Sequence, residues 1–195
     1  MEIERKLAES LSREDADLIY RHDFGAFCHA AFNILNPAQR LVANWHIDFI
    51  CYQLQKMITG KSQPRLVINL PPRTLKSQLI SVMLTAWLLG RKPGARIICA
   101  SYSEELAFRF SRDTRTLMES PFFKRVFRHT RLNPRKTTEQ ELETTRRGYR
   151  LATSVGGTLT GRGGDVLIID DPLKAADANS DLALSNAADW FAIRP

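Results

Sequence analysis

Apolar residues recur at helical spacing through the first sixty positions. Ile3, Leu7 and Leu11 repeat every fourth residue, Ala26–Leu35 is strongly apolar and ends at Pro37, and Ile47, Ile50, Cys51, Leu54 and Ile58 line one face of Trp45–Ile58. This period predicts helices, with Ser12 and Asp15 placed to cap one segment and Gly60 to close the last. Beyond residue 64 the pattern changes. Leu66–Leu70, Arg96–Ala100 and Val166–Ile169 are short apolar runs that predict buried strands, and Tyr149–Val155 also reads as a strand. Two helical patterns lie between them. Gln78–Leu89 is expected to be a buried helix ended by Gly90 and Pro93; Ser103–Met118 opens with Glu104 and Glu105, whose charges suit a helix N-terminus. Strands alternating with helices predict an α/β fold. Pro121–Arg147 is basic and less regular, with Phe122, Phe123 and Phe127 at a spacing that turns them inward. Ala175–Phe191 reads as a last helix, with Ser180 and Asp181 near its start.

Composition adds one feature. The chain of 195 residues suits one domain with room for an added lobe. Its net charge is +7, and residues 121–150 hold nine Lys or Arg against three Glu, so the excess is local. A polyanionic partner fits such a stretch, and so does a plain solvated face. Cys28, Cys51 and Cys99 have no metal spacing and imply no disulfide framework, which fits a reducing, cytosolic setting. The N-terminus lacks a signal-peptide pattern. The longest apolar stretch, Leu79–Leu89, carries Ser81 and Thr85 and is too short to span a bilayer, so no membrane partner is expected.

Two sites carry candidate chemistry. The first is Arg65–Ser77, an apolar run broken by Pro71 and Pro72 and followed by Arg73-Thr74-Leu75-Lys76-Ser77 and a helix. A strand, a tight loop, Lys-Ser and a helix form the layout of a phosphate-binding loop. The first helical turn offers unpaired backbone N–H groups and the positive end of the dipole to a polyphosphate. Lys76 would reach the β- and γ-phosphates and Ser77 would give a hydroxyl to Mg²⁺. Leu70 and Leu75 stand where the usual spacing has glycine, and an incidental strand–turn–helix is the competing reading. The second site is Val166–Pro172, an apolar strand ending in Asp170-Asp171-Pro172. Ligands bind at the C-terminal ends of such strands. Asp170 would hold Mg²⁺ through water and Asp171 would polarise an attacking water; a strand ending in an Asp-Pro turn is the alternative. Each site supplies what the other lacks.

Smaller signals stay open. His46 reads as a capping or surface histidine, or as a contact near a nucleotide base. The glycine-rich loop Gly156–Gly164 opens no helix, so it is no dinucleotide fingerprint. Its one charge, Arg162, is either a solvated loop arginine or a contact to phosphate or to a neighbouring subunit.

Four blocks in order carry a resemblance: Asn69–Ser77; Ala100–Ser103 with Glu105-Leu106-Ala107; Thr153–Gly157 with Thr160–Gly163; and Ile168–Pro172. From about His46 to Phe191 the chain resembles the N-terminal ATPase domain of the large terminase subunit of tailed bacteriophages, the motor that packages DNA into procapsids. The resemblance implies a three-layer P-loop NTPase of the ASCE/RecA-like kind, with a mainly parallel central sheet incomplete at its C-terminal end. It implies a helical lead-in over residues 1–43, packed on a partial ATPase domain over residues 44–195. By the same likeness Pro72, Arg73, Thr74, Leu75, Lys76 and Ser77 bind ATP phosphates, and Arg73 senses the γ-phosphate. Ser77 and Asp170 hold Mg²⁺, and Asp171 stands in the catalytic position, where many related motors have the longer Glu. His46 and Gln53 are candidates for adenine, and Arg162 for an arginine contact. Lys124, Arg125, Arg128, Arg131, Arg135 and Lys136 are candidate contacts to double-stranded DNA, limited to sequence-independent phosphate binding.

The implied function is ATP-driven translocation of viral double-stranded DNA, with Mg²⁺ and ATP as cofactors. The implied partners are a small terminase subunit and a portal, in a homo-oligomeric ring for the full-length protein, within the bacterial host cytoplasm. Members of the family continue past the Trp-Phe pair, here Trp190-Phe191, into a coupling strand and a nuclease. This chain is therefore expected to be a truncated form, a frameshifted remnant or one piece of a split protein, without nuclease activity and with weak or absent turnover. The coupling strand lies between the two site-bearing strands in that family. Its absence would leave ladder groups unpaired at about 1–3 kcal/mol each, against a total stability of roughly 5–15 kcal/mol. Marginal stability, re-paired strands or association would follow. Two other readings are a non-enzymatic basic DNA-binding or assembly fragment without ATP turnover, and another motor on the same core such as a helicase.

Overall fold

The computed structural model describes residues 12–42, 44–157, 162–177 and 179–192. The expected Ile3–Leu7–Leu11 helical face and residues 158–161 of the glycine-rich loop lie outside them.

Three helices lead in: α1 (Arg13–His22), α2 (Phe24–Leu35) and α3 (Trp45–Ile58). Ser12 opens α1 with a full capping box, its hydroxyl taking the Asp15 N–H while the Asp15 carboxylate takes the Ser12 N–H. Asp23 caps α2 through the Ala26 N–H. Phe24, Phe27 and Phe32 of α2 and Ile47, Ile50 and Leu54 of α3 are buried in the same core as Trp87, Ile97 and Leu117. The lead-in therefore shares its hydrophobic core with the sheet-bearing part of the chain. Cys28, Cys51 and Cys99 are free, buried thiols.

The long helix after the loop begins at Lys76 and runs to Arg91. It is a π-helix over Gln78–Leu84 and an α-helix, α4, over Thr85–Arg91. Gly90 does not end it. The Phe127 ring packs so closely there that a Cβ on residue 90 would come within 2.7 Å of it, and the helix stops one residue later at the Lys92 cap before Pro93.

Five strands form one sheet among the described residues: β1 (Arg96–Ser101), β2 (Leu132–Thr137), β3 (Glu141–Thr144), β4 (Tyr149–Ser154) and β5 (Val166–Asp170), in the order β2-β3-β4-β1-β5. β1 pairs in parallel with β4 and β5, and β2 and β3 add antiparallel. The architecture is α/β with a mixed sheet and a parallel centre. Helix α5 (Glu104–Glu119), capped by Ser103, packs against β4 and β1, and α6 (Pro121–Val126) follows it. The last helix is α7 (Asp181–Ala192). An apolar hollow of about 270 Å³ lies between α7 and the Val155, Ile169 and Pro172 side chains.

Two expectations are corrected. The region Pro121–Arg147 is more regular than read: it holds α6 and the β2–β3 ladder. Its strands are polar, and Pro134 in β2 is tolerated because β2 is an edge strand. Phe123 and Phe127 are buried as the spacing implied. The larger correction concerns Leu66–Leu70. This run forms no strand and is only partly buried: Val67 is 85% exposed, while Ile68 and Leu70 are half-buried against the core. Among the described residues its backbone pairs with no strand, and β5 is an edge of the sheet. Apolar content alone does not make a strand where the ladder lacks a neighbour.

Candidate functional site at the end of strand β5

The loop before the π-helix is bent by its own sequence. Pro71 and Pro72 withhold two N–H donors, and the Thr74 hydroxyl donates to the Pro71 carbonyl at 2.8 Å. Arg73 and Leu75 both take φ of +65°, the left-handed region. An L-residue pays about 1–2 kcal/mol to be there. Leu75 occupies a position where phosphate-binding loops have glycine, and it adopts a glycine-like backbone. Its side chain packs against the core and offsets part of the strain.

The opposite wall is the end of β5. Consecutive strand residues point to opposite faces, so Asp170 and Asp171 should diverge. They do not, because Asp171 lies just past the strand with φ of +48°. Its carbonyl accepts the Tyr102 N–H at 3.0 Å, which ties this turn to the end of β1. Both carboxylates therefore meet one cation. Lys76 Nζ forms an ion pair with Asp171 Oδ1 and lies 3.5 Å from Asp170 Oδ1. The environments differ: Asp170 is 6% exposed and Asp171 51%. The Ser81 hydroxyl, on the π-helix, donates to Asp170 Oδ2 at 3.0 Å.

Partial burial disfavours the charged Lys76 ammonium, but the hydrogen bond to Asp171 and the charges of Asp170 and Asp171 outweigh it and raise its pKa. Lys76 is therefore a firmly protonated cation held on two carboxylates beside a helix N-terminus. Backbone strain at three non-glycine residues in one place is a feature that clusters at ligand sites.

The donor set suits a hard cation. Carboxylate and hydroxyl oxygens are what Mg²⁺ prefers, and it usually keeps waters and takes phosphate oxygens to complete its shell. Among the described residues no group of three His, Cys, Asp or Glu side chains could hold a metal alone. Asp170 and Ser77 would hold such an ion only together with water and phosphate.

The other residues read from the sequence are spread more widely. Pro72 and Arg73 are exposed on the loop, Thr74 and Ser77 are half-buried, and no hydrogen bond joins Ser77 to either carboxylate among the described residues. Arg162 is not at this site: it forms two hydrogen bonds to the Glu141 carboxylate, at 3.2 and 2.7 Å, and lies over the Tyr149 ring. Of the six basic residues read as DNA contacts, Arg125 is paired with Asp17, Arg128 lies 3.9 Å from Glu14, and Lys136 is paired with Glu143. Arg131 donates to the carbonyls of Lys124, Phe127 and Thr130. Lys124 and Arg135 stand exposed without an ion pair among the described residues. His46 is half-buried, its Nε2 without a hydrogen-bond partner among the described residues, and Gln53 is half-buried.

Sequence reasoning missed Ser81, Tyr102 and the buried Arg150. Ser81 had one signal, a hydroxyl inside an otherwise apolar helix. Tyr102 acts through its backbone, which no side-chain pattern reveals. Neither the protein-family models nor the curated proteins compared with this chain match it.

Proposed function

We propose that this chain binds Mg²⁺-ATP between the Arg73–Ser77 loop and the Asp170-Asp171 pair, and serves as the ATPase part of a DNA-packaging motor of the large-terminase kind. The convergence of Lys76 on Asp170 and Asp171, beyond the C-terminal ends of parallel strands, carries this reading. The order of the four sequence blocks supports the motor class.

The resting ion pair suggests how the site would work. Incoming phosphates would replace Asp171 as the anion of Lys76. The Asp171 carboxylate, released and half-exposed, could then accept a proton from the attacking water. Asp170, held by Ser81, and the Ser77 hydroxyl would ligate the cation, which supplies charge neutralisation on the transferring phosphoryl group. Arg73, on the same loop and free of internal ion pairs among the described residues, is available to the terminal phosphate. For DNA, the exposed Lys124 and Arg135 offer sequence-independent phosphate contacts. Arg125, Arg131 and Lys136 are held by partners within the fold, while Arg128 only approaches an exposed Glu14.

Calorimetric titration with a non-hydrolysable ATP analogue tests the proposal. Binding is expected in Mg²⁺, and Lys76→Ala should weaken it about 10- to 100-fold, since hydrogen bonds to charged groups contribute about 1.5–3 kcal/mol and 1.4 kcal/mol is tenfold. An affinity unchanged by the substitution overturns it.

A further inference from the structure

We propose that Ser81 is a positioning residue that fixes the Asp170 carboxylate for cation binding; the inference rests on the nucleotide reading above. Ser81 is buried, in a helix whose neighbouring residues Leu79, Val82, Met83 and Leu84 are buried and apolar. Its hydroxyl and the Asp170 carboxylate are each other's partners at 3.0 Å, and a buried polar group needs one. The bond takes Oδ2 and leaves Oδ1 directed to the side where Lys76 lies, 3.5 Å away.

Ser81 is itself held. Its carbonyl accepts the Thr85 hydroxyl at 3.1 Å and Arg150 Nη2 at 3.4 Å, both from fully buried side chains. Among the described residues Arg150 Nε and Nη1 have no hydrogen-bond partner, and the contact to Ser81 is the hydrogen bond that this buried guanidinium makes. The π-helical segment contributes as well. It begins directly after Ser77, and such segments are rare and recur at functional sites. Ser81 lies in the middle of this segment. Ser77 makes no bond to either carboxylate, so the two serines divide the work: Ser81 orients Asp170, and Ser77 stays open to the cation.

The test is the Mg²⁺-dependence of nucleotide affinity in the full chain. A non-hydrolysable ATP analogue is titrated with Mg²⁺ and again in EDTA, for wild type, Ser81→Ala and Ser81→Thr. Outer-shell partners of ligating groups typically control metal affinity by about 10- to 100-fold. Ser81→Ala is expected to lose at least tenfold of the Mg²⁺-dependent gain with its EDTA affinity unchanged, and Ser81→Thr, which keeps the hydroxyl, to recover most of it. In an Asp170→Asn background Ser81→Ala should cost nothing further. Should the alanine variant fail to fold, Ser81→Cys keeps the volume with only a weak donor and is expected to fall in the same direction. A gain unchanged within twofold, a tightening, an equal loss in EDTA, or an additive loss in the Asp170→Asn background overturns the role of Ser81 alone. Absence of any Mg²⁺-dependent binding by wild type overturns the nucleotide reading and this inference with it.

Discussion

The two flanks of β1 end in different ways. Toward β4 the sheet continues through β3 and β2, and the Thr144–Gly148 turn seats against Pro93 so closely that a Cβ on Gly148 would lie 2.3 Å from the Pro93 carbonyl oxygen. Toward β5 the ladder stops among the described residues, and Leu66–Leu70, which leads to the site's loop, pairs with no strand there. The candidate site sits on the second flank. Its loop is joined to the body by side chains, through Lys76 on two carboxylates and Leu75 on the core, and not by a backbone ladder. Ligand sites are drawn from such low-stability regions. The comparison teaches that the closed flank is tied by backbone pairing while the open flank, which holds the candidate site, is tied by side chains.

The sharpest way to break that contrast is a matched pair of truncations. Leu142→Ala on the closed flank removes a fully buried side chain and should cost about 2–5 kcal/mol. Leu167→Ala on β5, 40% exposed, should cost under about 1 kcal/mol. Melting temperatures would report roughly 2–4 °C per kcal/mol for a chain of this size; equal losses would erase the distinction. Arg150→Met comes next. Burial lowers the Arg150 pKa, and two of its nitrogens, Nε and Nη1, have no hydrogen-bond partner among the described residues. An apolar side chain of similar length should leave stability equal or raise it by up to about 1–3 kcal/mol, and a marked drop in melting temperature would show that the single Ser81 contact matters more than burial.

The smallest effect concerns the tether at the start of β5. Asp165 accepts from the Arg96 side chain at 3.0 Å and from its backbone N–H at 2.9 Å, and these bonds hold its carboxyl below the ordinary value near 3.8. A carboxyl lowered by folding stabilises above its ordinary pKa and loses that contribution as pH falls through the folded value. Both side chains are substantially exposed, so the contribution is under about 1 kcal/mol. Asp165→Asn should melt slightly below wild type at pH 7, with the gap closing below about pH 4. A gap that is constant with pH would assign the loss to something other than charge.

Much of the fold was legible. Trp45–Ile58, the capped start at Ser12, the strands near Arg96, Tyr149 and Val166, and the helix after Ser103 all follow from local period and capping chemistry. The failures have physical causes. Leu66–Leu70 has strand composition, but pairing is a property of neighbours that a local window cannot see. β2 was hidden by Pro134 and its polar residues. At the site, the residue types were legible while the geometry was not. Strand alternation would have separated Asp170 from Asp171, and only the left-handed turn at Asp171, held by the Tyr102 N–H, brings both to Lys76. Arg162 pairs with Glu141, a partner that local sequence does not reveal.

The central claim is that Lys76 exchanges its carboxylates for phosphate in a pocket whose cation rests on Asp170. A crystal grown with a non-hydrolysable ATP analogue and Mn²⁺, measured for anomalous scattering, tests this directly. The account predicts one Mn²⁺ peak between Asp170, Ser77 and the terminal phosphates, with Lys76 withdrawn from Asp171 onto phosphate oxygen. A Lys76–Asp171 pair still intact, with the nucleotide or the Mn²⁺ bound elsewhere, would contradict it.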